Sequence, residues 1–200
     1  MSATQLAVPP SVTVAALTPT QQRVVAAAHD LFAERGISGT SLQMIAASLG
    51  VTKAAVYHQF PSKDDLVIAV TATELVTLEV ALAAADAEPD KELARDRLIQ
   101  QMVDEAVRQR QRITLMQHDP VVSRLLDEHE PFRQLMDRLY AILAVDDSPD
   151  TKVQAAMLAT AIGACSVHPL VADLDDEVLH QQMLHYARWL ARIPYVPPAG

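Results

Sequence analysis

The stretch that most constrains this chain runs from Thr40 to Lys63, with the sequence TSLQMIAASLGVTKAAVYHQFPSK. Apolar residues recur at helical spacing in its first half, which predicts a short helix with one buried stripe. Gly50 is predicted to end that helix, because glycine adopts the left-handed backbone conformation without a steric penalty. We therefore expect this stretch to fold as helix, tight turn, helix.

Polar residues mark the starts of both helices. Thr40 is predicted to cap the first helix, with Gln43 completing a capping box three residues later. Thr52 is predicted to cap the second helix. We expect the second helix to extend to about Phe60 and to turn Val56 towards the first.

The second helix has an outward face of small and polar residues: Thr52, Lys53, Ala54, Tyr57 and His58. Small residues allow a helix to sit deep in a groove, while lysine, phenol and imidazole groups can donate hydrogen bonds to phosphates and bases. A recognition helix that enters the DNA major groove has this layout. A helical hairpin inside an ordinary bundle is the alternative that this pattern alone leaves open.

Three strings of residues make the pattern more specific: AERG at 33–36, GTS at 39–41 and YHQFPSK at 57–63. Together they resemble the DNA-binding domain of the tetracycline-repressor (TetR) family of bacterial transcriptional regulators, over about residues 22–66. The resemblance implies a homodimer that binds a near-palindromic DNA operator. It also implies a small-molecule effector that binds the remainder of the chain.

The same resemblance implies which side chains contact DNA. We expect Lys53 and Lys63 to lie chiefly on phosphates, and Ala54 and Ala55 to face thymine methyl groups or sugar edges. The full set of expected DNA-contacting residues is Arg23, Thr40, Ser41, Thr52, Lys53, Ala54, Ala55, Tyr57, His58 and Lys63.

The charge distribution agrees with this placement, although the chain as a whole carries a net charge of −9. Residues 1–63 sum to +2 and residues 64–200 to −11. The positive end of the chain is thus the end that holds the motif. An acidic remainder would keep the rest of the molecule away from the phosphates.

Helical periodicity continues through the rest of the chain, and no strand pattern is present. We predict an all-α protein with about nine helices. The predicted organisation is a disordered leader at 1–17, a helix-turn-helix domain at 18–63, a ligand-binding and dimerisation domain at 64–193, and a tail at 194–200.

The resemblance further implies a ligand site between the middle helices and a dimer interface on the last two. Plain core packing is the alternative for every residue assigned to them. The candidates for the ligand site are Met102, Ala106, Met116, His118, Leu125, Phe132, Met136, Tyr140, Met157 and Ile162. Those for the dimer interface are Ala156, Ala159, Gly163, Leu179, Met183 and Tyr186.

The low aromatic content of 4% favours an aliphatic or acyl-like effector over a flat ring system. The carboxylates of Asp104, Glu105 and Asp137 leave a cationic effector open. Repressor action, in which the effector releases the protein from its operator, is the expected mode. A helical small-molecule or lipid-binding protein with a vestigial DNA-binding head is the alternative.

The sequence contains none of the common catalytic or metal-binding motifs. We therefore expect no enzyme activity, no metal and no cofactor. Cys165 is the single cysteine and cannot form an intramolecular disulfide, which fits the reducing cytoplasm. No uninterrupted apolar run approaches the roughly 18 residues that a membrane-spanning helix needs, and we expect no membrane association.

Overall fold

The computed structural model describes residues 17–110 and 120–192. In that part of the chain the fold is all-α and contains no strand, as predicted. A 3₁₀ turn at Pro169–Val171 precedes the last helix. The helices are α1 (Pro19–Gly39), α2 (Leu42–Leu49), α3 (Lys53–Gln59), α4 (Lys63–Asp86), α5 (Lys91–Arg108), α6 (Pro120–Glu128), α7 (Glu130–Leu143), α8 (Pro149–Ser166) and α9 (Asp176–Arg192).

Capping residues define the starts of the helices. At α1, the Thr18 side chain accepts from the backbone N–H of Gln21, and the Gln21 side chain accepts from the Thr18 N–H. The Ser62 and Asp65 pair forms the same reciprocal box at α4. Each box satisfies N–H groups that lack a partner within the helix.

Gly36 interrupts α1. Its backbone has φ 72° and ψ 161°, outside the helical range, and the last turn of α1 follows this break. A residue with a Cβ would be strained at this φ, so glycine permits the kink. Ile37, immediately after the kink, is buried.

The buried apolar residues form two clusters. The first joins α1, α2 and α3 to the start of α4, through Leu66, Val67 and Val70. It also includes Val122 and Leu125 from α6, which lie far along the chain. A contact of 3.2 Å between Arg124 of α6 and Asp64 of α4 runs beside this packing. The core of the helix-turn-helix is thus completed by a helix from the remainder of the chain.

The second cluster holds α4, α5, α7, α8 and α9 together as a bundle. Polar contacts add to the packing between α5 and α9. The Arg188 guanidinium donates to both carboxylate oxygens of Asp96, at 2.8 and 2.7 Å. Arg95 donates to the Ala191 carbonyl at 2.8 Å and to the Gln154 side chain at 3.1 Å, so it joins α5 to α8 and α9.

Helix α4 is long and apolar enough to cross a membrane, judged by length and composition alone, with a mean hydropathy of 1.9 over 18 residues. Glu74 and Glu79 interrupt its apolar run, which is why the sequence showed no uninterrupted one. A single helix of this kind is weak evidence for a membrane span, because core helices of globular proteins meet the same criterion. Here α4 packs against α1, α5, α6 and α7.

Candidate functional site

Helix α3 follows a tight turn and is held in place by two buried side chains. Val56 and Phe60 are buried against α1 and α2. Gly50 ends α2 in the left-handed conformation, with φ 66°, as predicted. Thr52 then caps α3 by accepting from the Ala55 N–H, also as predicted. These contacts fix the direction in which the other face of α3 points.

That other face, which we call the recognition face, is exposed along its length. Its members are Thr52, Lys53, Ala54, Ala55, Tyr57 and His58. The Lys53 ammonium lies 5.3 Å from the centroid of the Tyr57 ring, within the range of a cation–π contact. The face therefore combines a positive charge, two ring systems with polar atoms and two methyl groups, on a helix that its core contacts hold in place.

Thr40 is a correction to the sequence analysis. Ser41, not Thr40, caps α2 by accepting from the Met44 N–H. The Thr40 side chain is buried, and its hydroxyl donates to the carbonyls of Leu31 at 3.1 Å and Gly36 at 2.9 Å. Thr40 therefore joins α2 to the kinked end of α1, and its hydroxyl is not available to DNA.

The remaining predicted contact residues lie at the edges of the helix-turn-helix. Arg23 and Ser41 are exposed, and Lys63 is half-buried at the first turn of α4. The acidic neighbours of Lys63 have partners of their own, because Asp64 contacts Arg124 and Asp65 belongs to the capping box. The positive charge of Lys63 is thus not engaged by either of these adjacent carboxylates.

A second feature is a partly open cavity of about 480 Å³ within the bundle, which we call the central cavity. Its size falls in the range of small-molecule sites. The side chains around it come from α4, α5, α7 and α8, with one each from α1 and α6. They are His29, Thr71, Glu74, Leu75, Thr77, Leu78, Ala81, Gln101, Met102, Glu105, Ala106, Gln109, Val122, Met136, Leu139, Tyr140, Ala159, Thr160, Ile162, Gly163 and Ala164.

Half of the residues predicted for the ligand site line the central cavity: Met102, Ala106, Met136, Tyr140 and Ile162. Three others do not. Leu125 is buried in the cluster that includes α1 to α3, Phe132 is buried in the bundle core, and Met157 is 57% exposed on α8. The predicted residues Met116 and His118 lie outside the described part of the chain.

The resemblance implies that the helix beginning near Asp65, here α4, contributes to the ligand site, but none of its residues was among the candidates. Thr71, Glu74, Leu75 and Leu78 follow one another at helical spacing on that helix and all line the cavity. That spacing was a signal in the sequence, but α4 is apolar on most sides, so several stripes competed. His29 had no such signal, because it reaches the cavity from α1 only through the tertiary fold.

Two of the residues predicted for the dimer interface are also corrected. Leu179 and Met183 on α9 are buried within the protomer, in the cluster that includes α5. Ala159 and Gly163 line the central cavity. Ala156 and Tyr186 are exposed. Four large apolar side chains that were not predicted for the dimer interface are also exposed on α8 and α9: Val153, Met157, Val178 and Trp189.

The ionisable side chains of the described residues form no cluster of the kind that binds a metal ion. Within residues 17–110 and 120–192, no three His, Cys, Asp or Glu side chains are grouped so that they could hold a metal ion. Asp104, one of the carboxylates considered for a cationic effector, instead contacts His180 of α9 at 2.5 Å. Cys165 is half-buried in the bundle.

Comparison with known proteins agrees with the recognition-face geometry. Residues 24–70 match the family model described as bacterial regulatory proteins of the tetR family. The chain is 39% identical over 61 residues to the HTH-type transcriptional regulator SrpR of Pseudomonas putida. This match covers 30% of this chain and 29% of that protein. It is 45% identical over 47 residues to the regulator AcrR of Shigella flexneri, covering 24% and 22% of the two chains. The chain thus matches under a third of the length of either relative.

Similarity of fold extends further than similarity of sequence. A candidate fatty acid metabolism regulator of Clostridium perfringens superposes with a TM-score of 0.67 at 17% identity, over 87% of this chain and 100% of that one. At this identity the likeness shows the fold alone. The family model and the two relatives fall on the helix-turn-helix, so this part of the chain is similar in sequence to bacterial regulatory proteins of the tetR family.

Proposed function

We propose that this protein is a cytoplasmic, DNA-binding transcriptional regulator that acts as a homodimer. The observation that carries the proposal is the recognition face of α3, exposed along its length and anchored from behind by Val56 and Phe60. In a dimer, two such helices would enter successive major grooves, about 34 Å apart, on a near-palindromic operator.

The contacts that we propose divide into two kinds. Lys53, Lys63 and Arg23 would bind phosphates, which supplies affinity that depends on salt but not on sequence. Ser41, Thr52, Tyr57 and His58 would donate to phosphates or base edges. Ala54 and Ala55 would allow close approach and contact thymine methyl groups. Thr40 is not among these contacts, since its hydroxyl is used within the protein.

The homodimer would pair through α8 and α9, but with a different set of residues from the one expected from sequence. The exposed apolar side chains are Val153, Met157, Val178, Tyr186 and Trp189. Covering them would remove apolar surface from water, which is the main driving force for association.

Regulation would come from a small apolar molecule in the central cavity. Such a molecule can move the two heads only by binding one arrangement of them more tightly than the other. Release from the operator would make the protein a repressor. His29 of α1, a helix that packs on the helix-turn-helix, lines the cavity, so a ligand there would lie close to both parts of the protein.

The proposal is tested by fluorescence anisotropy on DNA from upstream of the protein's own gene and on scrambled DNA, over a salt series. We expect tight binding to the first with a steep salt dependence. Lys53→Gln and Lys63→Gln should each reduce the salt slope by about one for every phosphate that the variant no longer neutralises. The control is Lys91→Gln, which removes an exposed lysine from the start of α5, away from the recognition face.

Three results would contradict parts of the proposal. An unchanged slope in either variant would remove that lysine from the phosphate contacts. A similar reduction with Lys91→Gln would mean that only net charge is being measured. Weak, equal binding to every DNA in a genome-wide selection, together with tight binding of a small molecule, would favour the ligand-binding protein with a vestigial head.

A further inference from the structure

The charged groups around the central cavity carry one sign. Its described lining contains two carboxylates, Glu74 and Glu105, and no lysine or arginine. His29 is the remaining ionisable group of basic character there. An anionic ligand would therefore have to place its charge beside like charges, without a lysine or arginine from the described lining to offset them. In a partly enclosed site such repulsion is stronger than in water.

The two carboxylates differ in how far they are already engaged. Glu105 is contacted by Arg108 and Gln109, its neighbours on the next turn of α5. Glu74 has one ionic contact within the described chain, at 3.4 Å from the Nε2 atom of His29. Its side chain is also partly exposed, at 31%. Glu74 is consequently the carboxylate that is better able to accept a new partner.

A buried hydroxyl lies one turn before Glu74 on the same face of α4. Thr71 is 5% exposed and lines the cavity, and its Oγ1 atom has no hydrogen-bond partner within the described structure. A buried polar atom without a partner destabilises the folded protein. A ligand that donates a hydrogen bond to Thr71 would remove that destabilisation.

We propose that the central cavity binds a cationic amphiphile, an amine on an apolar body, with its ammonium group on Glu74 and Thr71. An ammonium carries three N–H donors and no acceptor, which suits a carboxylate and a hydroxyl oxygen placed one turn apart. The apolar body would lie along Leu75, Leu78 and Met102. This inference rests on the proposed role of the cavity as the effector site, and it replaces the acyl-like effector expected from composition.

The same contact gives the ligand a route to the DNA-binding end of the chain. His29 belongs to α1, which packs on the helix-turn-helix, whereas Glu74 belongs to α4, which continues into the bundle, so their contact joins these two helices beside the cavity. An ammonium on Glu74 competes with His29 for the carboxylate and weakens this contact. Because binding free energies are reciprocal, DNA binding would lower the affinity for the amine by the same factor.

The test compares three ligands that share one alkyl chain: decylamine, decanol and decanoate. Each is titrated into the full-length protein by calorimetry at about pH 7, where the amine and the acid are both charged, and below its micelle concentration. We expect decylamine to bind most tightly and decanoate most weakly. Decanol reports on the apolar part of the cavity alone.

Glu74→Gln keeps the shape of the side chain and removes its charge. It should weaken decylamine binding about tenfold or more, as expected for loss of a charged hydrogen-bond partner, and leave decanol binding unchanged. Glu79→Gln is the matched control, because Glu79 lies on the same helix but not around the cavity. The amine-to-alcohol preference of the unaltered protein provides a measurement that does not depend on how either variant folds.

The outcomes separate this inference from the proposed function. Decanoate binding as tightly as decylamine, or a Glu74→Gln protein that still prefers the amine, would overturn the ligand class and leave the cavity as an effector site. Binding of none of the three would overturn both claims about the cavity, while DNA binding is measured independently. Release of DNA by decanol as readily as by decylamine would remove the His29–Glu74 contact from the regulation.

Discussion

Thr40→Val separates a structural role from a DNA-contacting role at a position that the family resemblance assigns to DNA. Valine has nearly the shape of threonine, so packing around the 2%-exposed side chain is kept. The variant has no hydroxyl to donate to the Leu31 and Gly36 carbonyls, which accept from Thr40 at 3.1 and 2.9 Å. Two partly buried carbonyl groups then lack this donor, which costs about 1–3 kcal/mol.

For a chain of this length, each kcal/mol lowers the melting temperature by about 2–4 °C. We therefore expect Thr40→Val to melt about 2–12 °C below the unaltered protein. Both proteins are compared at equal concentration, because the stability of the proposed dimer would depend on concentration. Thr73→Val is the control, since Thr73 is exposed on α4, and it should change stability by less than about 0.5 kcal/mol.

DNA affinity, measured well below the melting transition, should be the same for Thr40→Val and the unaltered protein. The reason is that the Thr40 hydroxyl points into the protein, where it donates to two backbone carbonyls. A Thr40→Val protein with unaltered melting and weakened DNA binding would refute this reasoning. It would show that the hydroxyl turns outward when DNA is bound.

Three further expectations concern the bundle. Arg95→Met should lower the free energy of unfolding by about 1–2 kcal/mol in urea titration, because the carbonyl and amide oxygens that it bonds lose a donor; unaltered stability would show that water replaces it. Trp189→Glu should give folded monomers in sedimentation, because Trp189 is exposed. Leu179→Glu should unfold the protein, because Leu179 is buried within the protomer. A Leu179→Glu protein that is a folded monomer would instead place Leu179 in the dimer interface. Hydrogen bonds from Ser148 and then Thr151 lower the pKa of Asp146 below its usual 3.8. Its stabilising effect is therefore present above that value and is lost as the pH falls below it, so Asp146→Asn should be less stable near neutrality and equal to the parent in strong acid.

Features set by neighbouring residues were predictable from the sequence. The caps at Thr18 and Ser62 and the left-handed Gly50 depend on a few adjacent side chains and on backbone sterics. The prediction for Thr40 is wrong because two hydroxyl residues stand side by side. Which of the two caps α2 depends on the Leu31 and Gly36 carbonyls, to which Thr40 donates. The position of these carbonyls cannot be worked out from the adjacent residues alone.

Features that depend on which side of a helix meets another were less predictable. Helix α4 carries apolar residues on most sides, so its periodicity predicts Val76 and Val80 inward although they are 42% and 63% exposed. Helix α9 carries two apolar stripes, and the sequence offers no reason to prefer Leu179 or Trp189 for the protomer core. The arrangement of α5 decides this, by covering Leu179. His29 reaches the cavity for the same kind of reason.

The packing of Val122 and Leu125 against the helix-turn-helix has a consequence for the engineering of chimeric regulators. A graft that joins residues 18–63 to a foreign body would leave the apolar surface that these two side chains cover exposed to water. Such a hybrid should aggregate or lose operator affinity even when its recognition face is intact. The smallest unit that could be transferred to another protein as a DNA-binding domain is therefore discontinuous in sequence. It comprises the helix-turn-helix, the first turns of α4 and matching apolar residues at the two positions on α6.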